Sequence, residues 1–269
     1  MREGKRRDGK DGKDVYLLTR FTFNGVASYD LPLCGFSLCE RVRRRYPSAA
    51  LHLDEKKGEN GEELLGIFLK NLADYPFERR RRQQKILLDL LRGGVLIEDL
   101  ESVYIEDGTV IEEGAQIGHG CYIERDCFIG AGSRVGPYAY LRRGSRVGRG
   151  CRVGDFTEMK NASLGDGSKM AHLAYLGDAS VGKNCNIGCG AVFVNYDGRE
   201  KHRAVVGDGC FIGSNCNLVA PVFVGDGAYI ACGSTLTENL EAGDFCIARA
   251  RETVKKGRGG AYYPRKDPP

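Results

Sequence analysis

Tryptophan is absent from this chain, and so is any run of about 18 apolar residues of the kind a membrane-spanning helix requires. The N-terminal stretch Met1 to Asp14 is charged and holds no apolar segment, so it does not read as a secretory signal. A cytoplasmic protein with no membrane attachment is the expectation. No Cys-x-x-Cys pair occurs, and the 11 cysteines are an odd number, which argues against a disulfide framework or a zinc site. A one-sided charge is missing too. The 40 Lys and Arg stand against 36 Asp and Glu, a formal charge of +4, and that mild excess does not call for nucleic acid. Glycine is what the chain has in plenty. Its 38 glycines follow no collagen triplet and point to many tight turns.

Those turns are periodic. Stepping by six from Ile105 gives Ile111, Ile117, Ile123, Ile129, Val135, Leu141, Val147 and Val153, all branched aliphatics. Two residues before each, starting from Ile111, stand Thr109, Ala115, Cys121, Cys127, Ser133, Ala139, Ser145 and Cys151, all small. The phase slips by one residue twice, with Leu164, Met170, Leu176, Val181 and Ile187 continuing it. After an interruption near 195–204 it resumes through Val206, Ile212, Leu218, Val224, Ile230 and Leu236. Residues two apart on an extended segment share a face, so a small and an aliphatic side chain point inward together. Three such units close one triangular coil, and coils stack at the strand-pairing distance of about 4.8 Å. Cys121, Cys127, Cys151, Cys185, Cys210 and Cys216 fall on the small inward position, where Cys acts as a small hydrophobe. The fold class is mainly β: a parallel β-helix of hexapeptide repeats over 93–250.

The remainder is less regular. Residues 1–14 read as a disordered basic tail. Residues 15–92 form a small region with two helices. One has apolar spacing at Leu64, Leu65, Phe68, Leu69 and Leu72. The other begins at Pro76 and runs to about Arg92, with Ile86, Leu87, Leu90 and Leu91 on one face. A strand is expected within Asp14 to Phe23. Arg79 to Arg82 read as a solvated helix face. Residues 251–269, basic and rich in Gly and Pro, read as an extended arm.

Four clusters interrupt the repeat: Leu141-Arg142-Arg143-Gly144; Phe156-Thr157-Glu158-Met159-Lys160; His172-Leu173-Ala174-Tyr175-Leu176-Gly177-Asp178; and Asn186-Ile187-Gly188-Cys189-Gly190 with Asn195-Tyr196-Asp197-Gly198 and Lys201. In this order they resemble the acetyltransferase domain of the bifunctional N-acetylglucosamine-1-phosphate uridyltransferase/glucosamine-1-phosphate acetyltransferase family. The resemblance runs from about Gly94 to Arg249. It implies a left-handed coil, a homotrimer with sites between neighbouring prisms, and acetyl-CoA as co-substrate without a metal. It implies His172 as general base, apt because His titrates near neutral pH and the attacking sugar amine must lose a proton. His172 lies two residues past Met170, an offset that suits an inward side chain. Arg142, Lys160 and Lys201 match residues binding the sugar phosphate, where cations suit a dianion. Tyr175 and Asn186 match sugar contacts. Asn195, which also orients the reacting groups, and Tyr196 match acetyl-CoA contacts, as do Cys189, Ser214, Cys232 and Arg249.

The chain departs from that family in places. Arg143 stands for its Pro, and Cys189 and Cys232 stand for its usual Ala. The Gly-rich nucleotide loop of its uridyltransferase domain is not found, so uridyl transfer is not expected here and a separate nucleotidyltransferase is an expected partner. The expected reaction is direct transfer of acetyl to glucosamine 1-phosphate, yielding a cell-wall precursor. A covalent Cys route is disfavoured because no Cys adjoins a His within the motifs. Galactosamine 1-phosphate as acceptor and a non-catalytic trimeric scaffold are the alternatives. A zinc enzyme on the same prism would need three gathered His, and His119, His172 and His202 are far apart in sequence.

Overall fold

A computed structural model describes residues 13–24, 26–56 and 58–258. From Leu96 to Cys246 the backbone winds as a parallel β-solenoid of three walls. The first wall holds eight strands, from Tyr104–Ile105 to Thr235–Leu236. The second holds seven, from Val110–Ile111 to Val222–Val224. The third holds nine, from Leu96–Ile97 to Phe245–Cys246. The expected aliphatic column is buried: Ile105, Ile117, Ile123, Ile129, Val135, Leu141, Val147 and Val153 are all fully enclosed. Only Thr109 and Ile111, in the first coil, remain half-buried.

The small inward position does more than save space. Its hydroxyls and thiols donate to carbonyls one coil further on. Ser133 reaches the Gly148 carbonyl at 2.7 Å, Cys151 that of Gly165 at 3.1 Å, and Cys185 that of Gly207 at 3.0 Å. These thiols are packing groups, and burial pushes Cys121 and Cys127 up to about 11 and about 12.

Coil length changes where the sequence phase slips. Leu141 pairs with Met159 across three full hexads. The next coil, from Met159 to Leu176, is one position shorter, and the coil from Phe193 to Leu218 is longer by an insertion. Both short corners and the long one lie between the first and second walls. Residues 195–203 form the insertion of the long one.

Among the described residues three α-helices lie ahead of the prism: α1 (Leu38–Arg45), α2 (Gly61–Leu65) and α3 (Asp74–Arg92). A parallel sheet of Ala50–Leu53, Asp14–Leu17 and Glu59–Asn60 packs with α1 around a separate core that includes Val15, Leu17, Leu38 and Val42. The expected count of two helices is therefore short by one: α1 was not anticipated. The strand begins at Asp14 but stops at Leu17. The second helix of the region ends early because Gly66 adopts φ +61, a left-handed cap, and leaves Phe68 and Leu72 about half exposed. The third begins at Asp74 rather than Pro76 and lays Leu87, flanked by Ile86, Leu90 and Leu91, onto the prism core.

The arginine run on α3 is not simply solvated. Arg79 lies over the Tyr104 ring at 4.1 Å and donates to its hydroxyl, and Arg82 pairs with Asp107. Gln83, with its amide turned to satisfy both groups, donates to the Ile105 carbonyl and accepts from the Ile105 N–H, each at 3.0 Å. The basic tail falls almost wholly outside the described residues, as does the end of the arm. No helix among the described residues is long and apolar enough to cross a membrane.

Candidate active site

The candidate residues gather along two edges of the first wall. One is the corner where the third wall turns into the first. Each coil reaches it two residues after its inward aliphatic, and strand register stacks those residues: Met170 pairs with Ile187, Ile187 with Ile212, and Ile212 with Ile230. His172, Cys189, Ser214 and Cys232 therefore form one column, at about 4.8 Å per coil. Backbone bonds at the corner follow the same order, with Asn215 N–H donating to the Cys189 carbonyl and Gly233 N–H to that of Ser214, both at 2.8 Å. All four side chains of the column are exposed.

His172 is thus not inward. The turn places Leu173 at φ +47, so the chain leaves the strand direction at His172, and its side chain is about half exposed. One coil below, in register, stands Asp155, whose Oδ1 is 2.7 Å from His172 Nδ1. The hydrogen bond to His172, with one from the backbone, holds the Asp155 carboxyl below the usual carboxylate range. A carboxylate fixed on Nδ1 keeps the proton there and leaves Nε2 as the free, basic nitrogen. Cys189 adjoins His172 in space after all, one coil above it, although the motifs keep the two apart in sequence.

The second edge is the corner between the first and second walls. Arg142 and Lys160 follow the inward Leu141 and Met159. Arg142 meets Glu158 at 3.4 Å. Lys160 meets Asp178 at 3.6 Å, across the shortened coil. Asp178 also accepts from Asn161 at 2.8 Å and from the buried Asn195. Burial opposes ionisation of Asp178, yet these hydrogen bonds and the Lys160 charge outweigh it and hold the carboxyl low. Beyond Asn195 the insertion is tied by Asp197, which accepts from the Arg199 and Glu200 N–H groups at 2.7 Å and pairs with His202 at 2.7 Å. A bridge joins Tyr196 to Lys201, and both side chains are exposed.

Tyr175 stands on the first wall, three residues past His172, with its ring over Gly177. Asn186 faces out from the third wall, around the corner from Tyr175. Arg249 is exposed near the end of the His172 column, its chain beside Gly233. His119 pairs with Glu98 and His202 with Asp197, so neither joins His172.

Residues 102–137 and 203–238 match the family described as bacterial transferase hexapeptide (six repeats), and 121–155 match the hexapeptide repeat of succinyl-transferase. The chain carries hexapeptide repeats. Over 102 residues it is 56% identical to bifunctional protein GlmU of Caldicellulosiruptor saccharolyticus and 59% identical to that of Clostridioides difficile. Each match covers 38% of this chain and 22% of the relative, so the chain spans about a fifth of the length of the curated relatives it matches. Among solved structures, LpxA from Acinetobacter baumannii is 17% identical with a TM-score of 0.40, over 55% of this chain and 69% of that one.

Three partners in the site were given no role by the sequence: Asp155, which lies in none of the four clusters, and Glu158 and Asp178, which lie in two of them. Coil length could have found two of them. Asp155 lies one shortened coil before His172, and Asp178 one such coil before Asn195.

Proposed function

We propose that the prism transfers acetyl from acetyl-CoA to the amine of glucosamine 1-phosphate. The Asp155–His172 contact, at the foot of the column Cys189, Ser214 and Cys232, carries this reading. With Nδ1 committed to Asp155, Nε2 of His172 is the base that takes the proton of the attacking amine. The amine nitrogen bonds to the thioester carbonyl carbon, the C–S bond breaks, and CoA leaves as thiol once its sulfur is protonated. The exposed column gives the pantetheine arm a straight track that ends at His172, with Arg249 placed for a CoA phosphate.

Lys160 and Arg142 supply charge for the sugar phosphate, and Tyr175 and Asn186 supply its hydroxyl contacts. Six residues separate His172 from Asp178, so the two edges of one prism lie up to about 20 Å apart. A phosphate on one edge and a base on the other are best joined across two copies. We therefore read the active form as a cytoplasmic homotrimer in which the Lys160 edge of one copy meets the His172 corner of the next. Lys201, Tyr196 and Asn195 on the insertion would then close over the donor.

The deciding experiment is to mix purified chain with acetyl-CoA and glucosamine 1-phosphate and follow free thiol. Steady thiol release that stays dependent on the sugar supports the reading. Release that is equal without sugar, or none at all, overturns it. Galactosamine 1-phosphate in a parallel arm reports acceptor choice, and UTP with the acetylated product tests the expectation that no uridyl transfer occurs.

A further inference from the structure

A second cationic site lies where the N-terminal region meets the first coil, on the first-to-second-wall corner two coils before Arg142. A cavity of about 270 Å³ there is walled by Arg41, Arg44, Arg45, Arg82, Lys85 and Asp107. Five cations thus share a single carboxylate. Asp107 is already taken up by Arg41 and Arg82. Among the described residues Arg44, Arg45 and Lys85 form no ion pair. Arg44 lies over the Phe36 ring at 4.1 Å, and Arg45 donates to the Leu64 carbonyl at 3.2 Å.

The deficit of anionic oxygen extends inward. Arg41 is only 6% exposed, and the Nε–H groups of Arg41 and Arg82 are buried without an acceptor. Buried guanidinium donors left unpaired cost stability, and like charges gathered in a cleft repel. Helix docking explains Arg41 and Arg82, which tie α1 and α3 to Asp107 on the first coil. It does not explain why three more cations, from α1 and α3, face the same cavity with no ion-pair partner among the described residues.

We propose that this cavity binds a diphosphate group, free or as the end of a nucleotide. Its volume falls just under the roughly 300–1,000 Å³ of clefts that enclose drug-sized ligands, which suits a compact anion rather than a whole nucleotide. Arginine forks and a lysine point charge match phosphate oxygens. Because α1, α3 and the first coil all contribute, an occupied site would lock the N-terminal region onto the prism.

The test is titration calorimetry on the full chain, with inorganic pyrophosphate, ADP and sulfate as probes. One saturable pyrophosphate or ADP site per chain is expected, weaker at higher salt, with sulfate at least about ten-fold weaker. Arg44 and Lys85 are exposed, so the Arg44→Ala/Lys85→Ala variant should keep its melting temperature and thiol-release rate. Its affinity should fall at least about ten-fold. Tighter ADP than pyrophosphate would make the ligand a nucleotide, and the reverse a free diphosphate. Sulfate binding as tightly as both, no saturable heat, or a folded double variant that binds like the parent would overturn the proposal.

Discussion

The two edges of the first wall are built by opposite means. At the Asp155–His172 edge the six-residue spacing is kept, and the candidate groups occupy an ordinary corner position coil after coil. At the Lys160–Asn195 edge the spacing is broken, twice by a missing residue and once by an insertion, and the groups are locked by Asp178. The first edge leaves a line of exposed side chains that a long, thin ligand can follow. The second makes a fixed polar knot of half-buried charges. A solenoid can thus carry an open column and a polar knot on one wall, the column keeping the repeat regular and the knot requiring its loss.

Four substitutions sharpen or break that contrast. The largest effect is expected for His172→Ala, with thiol release falling about 10²- to 10⁴-fold at unchanged melting temperature. A full-speed variant would remove the base from this edge. Asp155→Asn should follow, with a loss of about 10- to 100-fold, the size typical when a carboxylate orienting an imidazole is removed. Its pH–rate profile should also move, which a merely structural carboxylate would not cause. Asp178→Asn attacks the other edge and should cost about 1.5–3 kcal/mol of stability, since a hydrogen-bonded charged acceptor is lost. The folded carboxyl is depressed, so the native contribution is present above about pH 4 and disappears as the pH falls through the lowered value. Melting curves of parent and variant should accordingly converge in acid; a gap that persists would exclude the carboxylate as its source. The smallest effect is expected for Cys189→Ala, within a few-fold of the parent for direct transfer. A collapse to the His172→Ala level, with an acetylated cysteine visible by mass spectrometry in the parent, would show that acetyl passes through the thiol beside His172.

How far these features could be read in the sequence depended on whether they changed the period. The prism was legible because inward positions accept only branched or small residues, as the buried Ile117 and Cys121 illustrate. The Lys160 edge was legible as interruptions of phase. The outward turn of His172 was not, since its offset from Met170 equals that of an inward residue, and the positive φ of Leu173 has no signature when Gly or Asn is not used. Helix α1 escaped because four arginines mask its short apolar face, although Ser37 and Glu40 form a capping box written plainly as Ser-Leu-Cys-Glu. The docking of Arg79 and Arg82 depended on Tyr104 and Asp107, residues that only the tertiary fold brings to α3.

Gln83 has a consequence beyond local packing. The end coils of a solenoid present amides and carbonyls with no neighbouring strand, so each end is a template on which another chain could add. By giving Ile105 both partners from a side chain, α3 finishes the first wall with a group that has no further strand to extend. At this end of the first wall, one side-chain amide thus takes the place of a further strand.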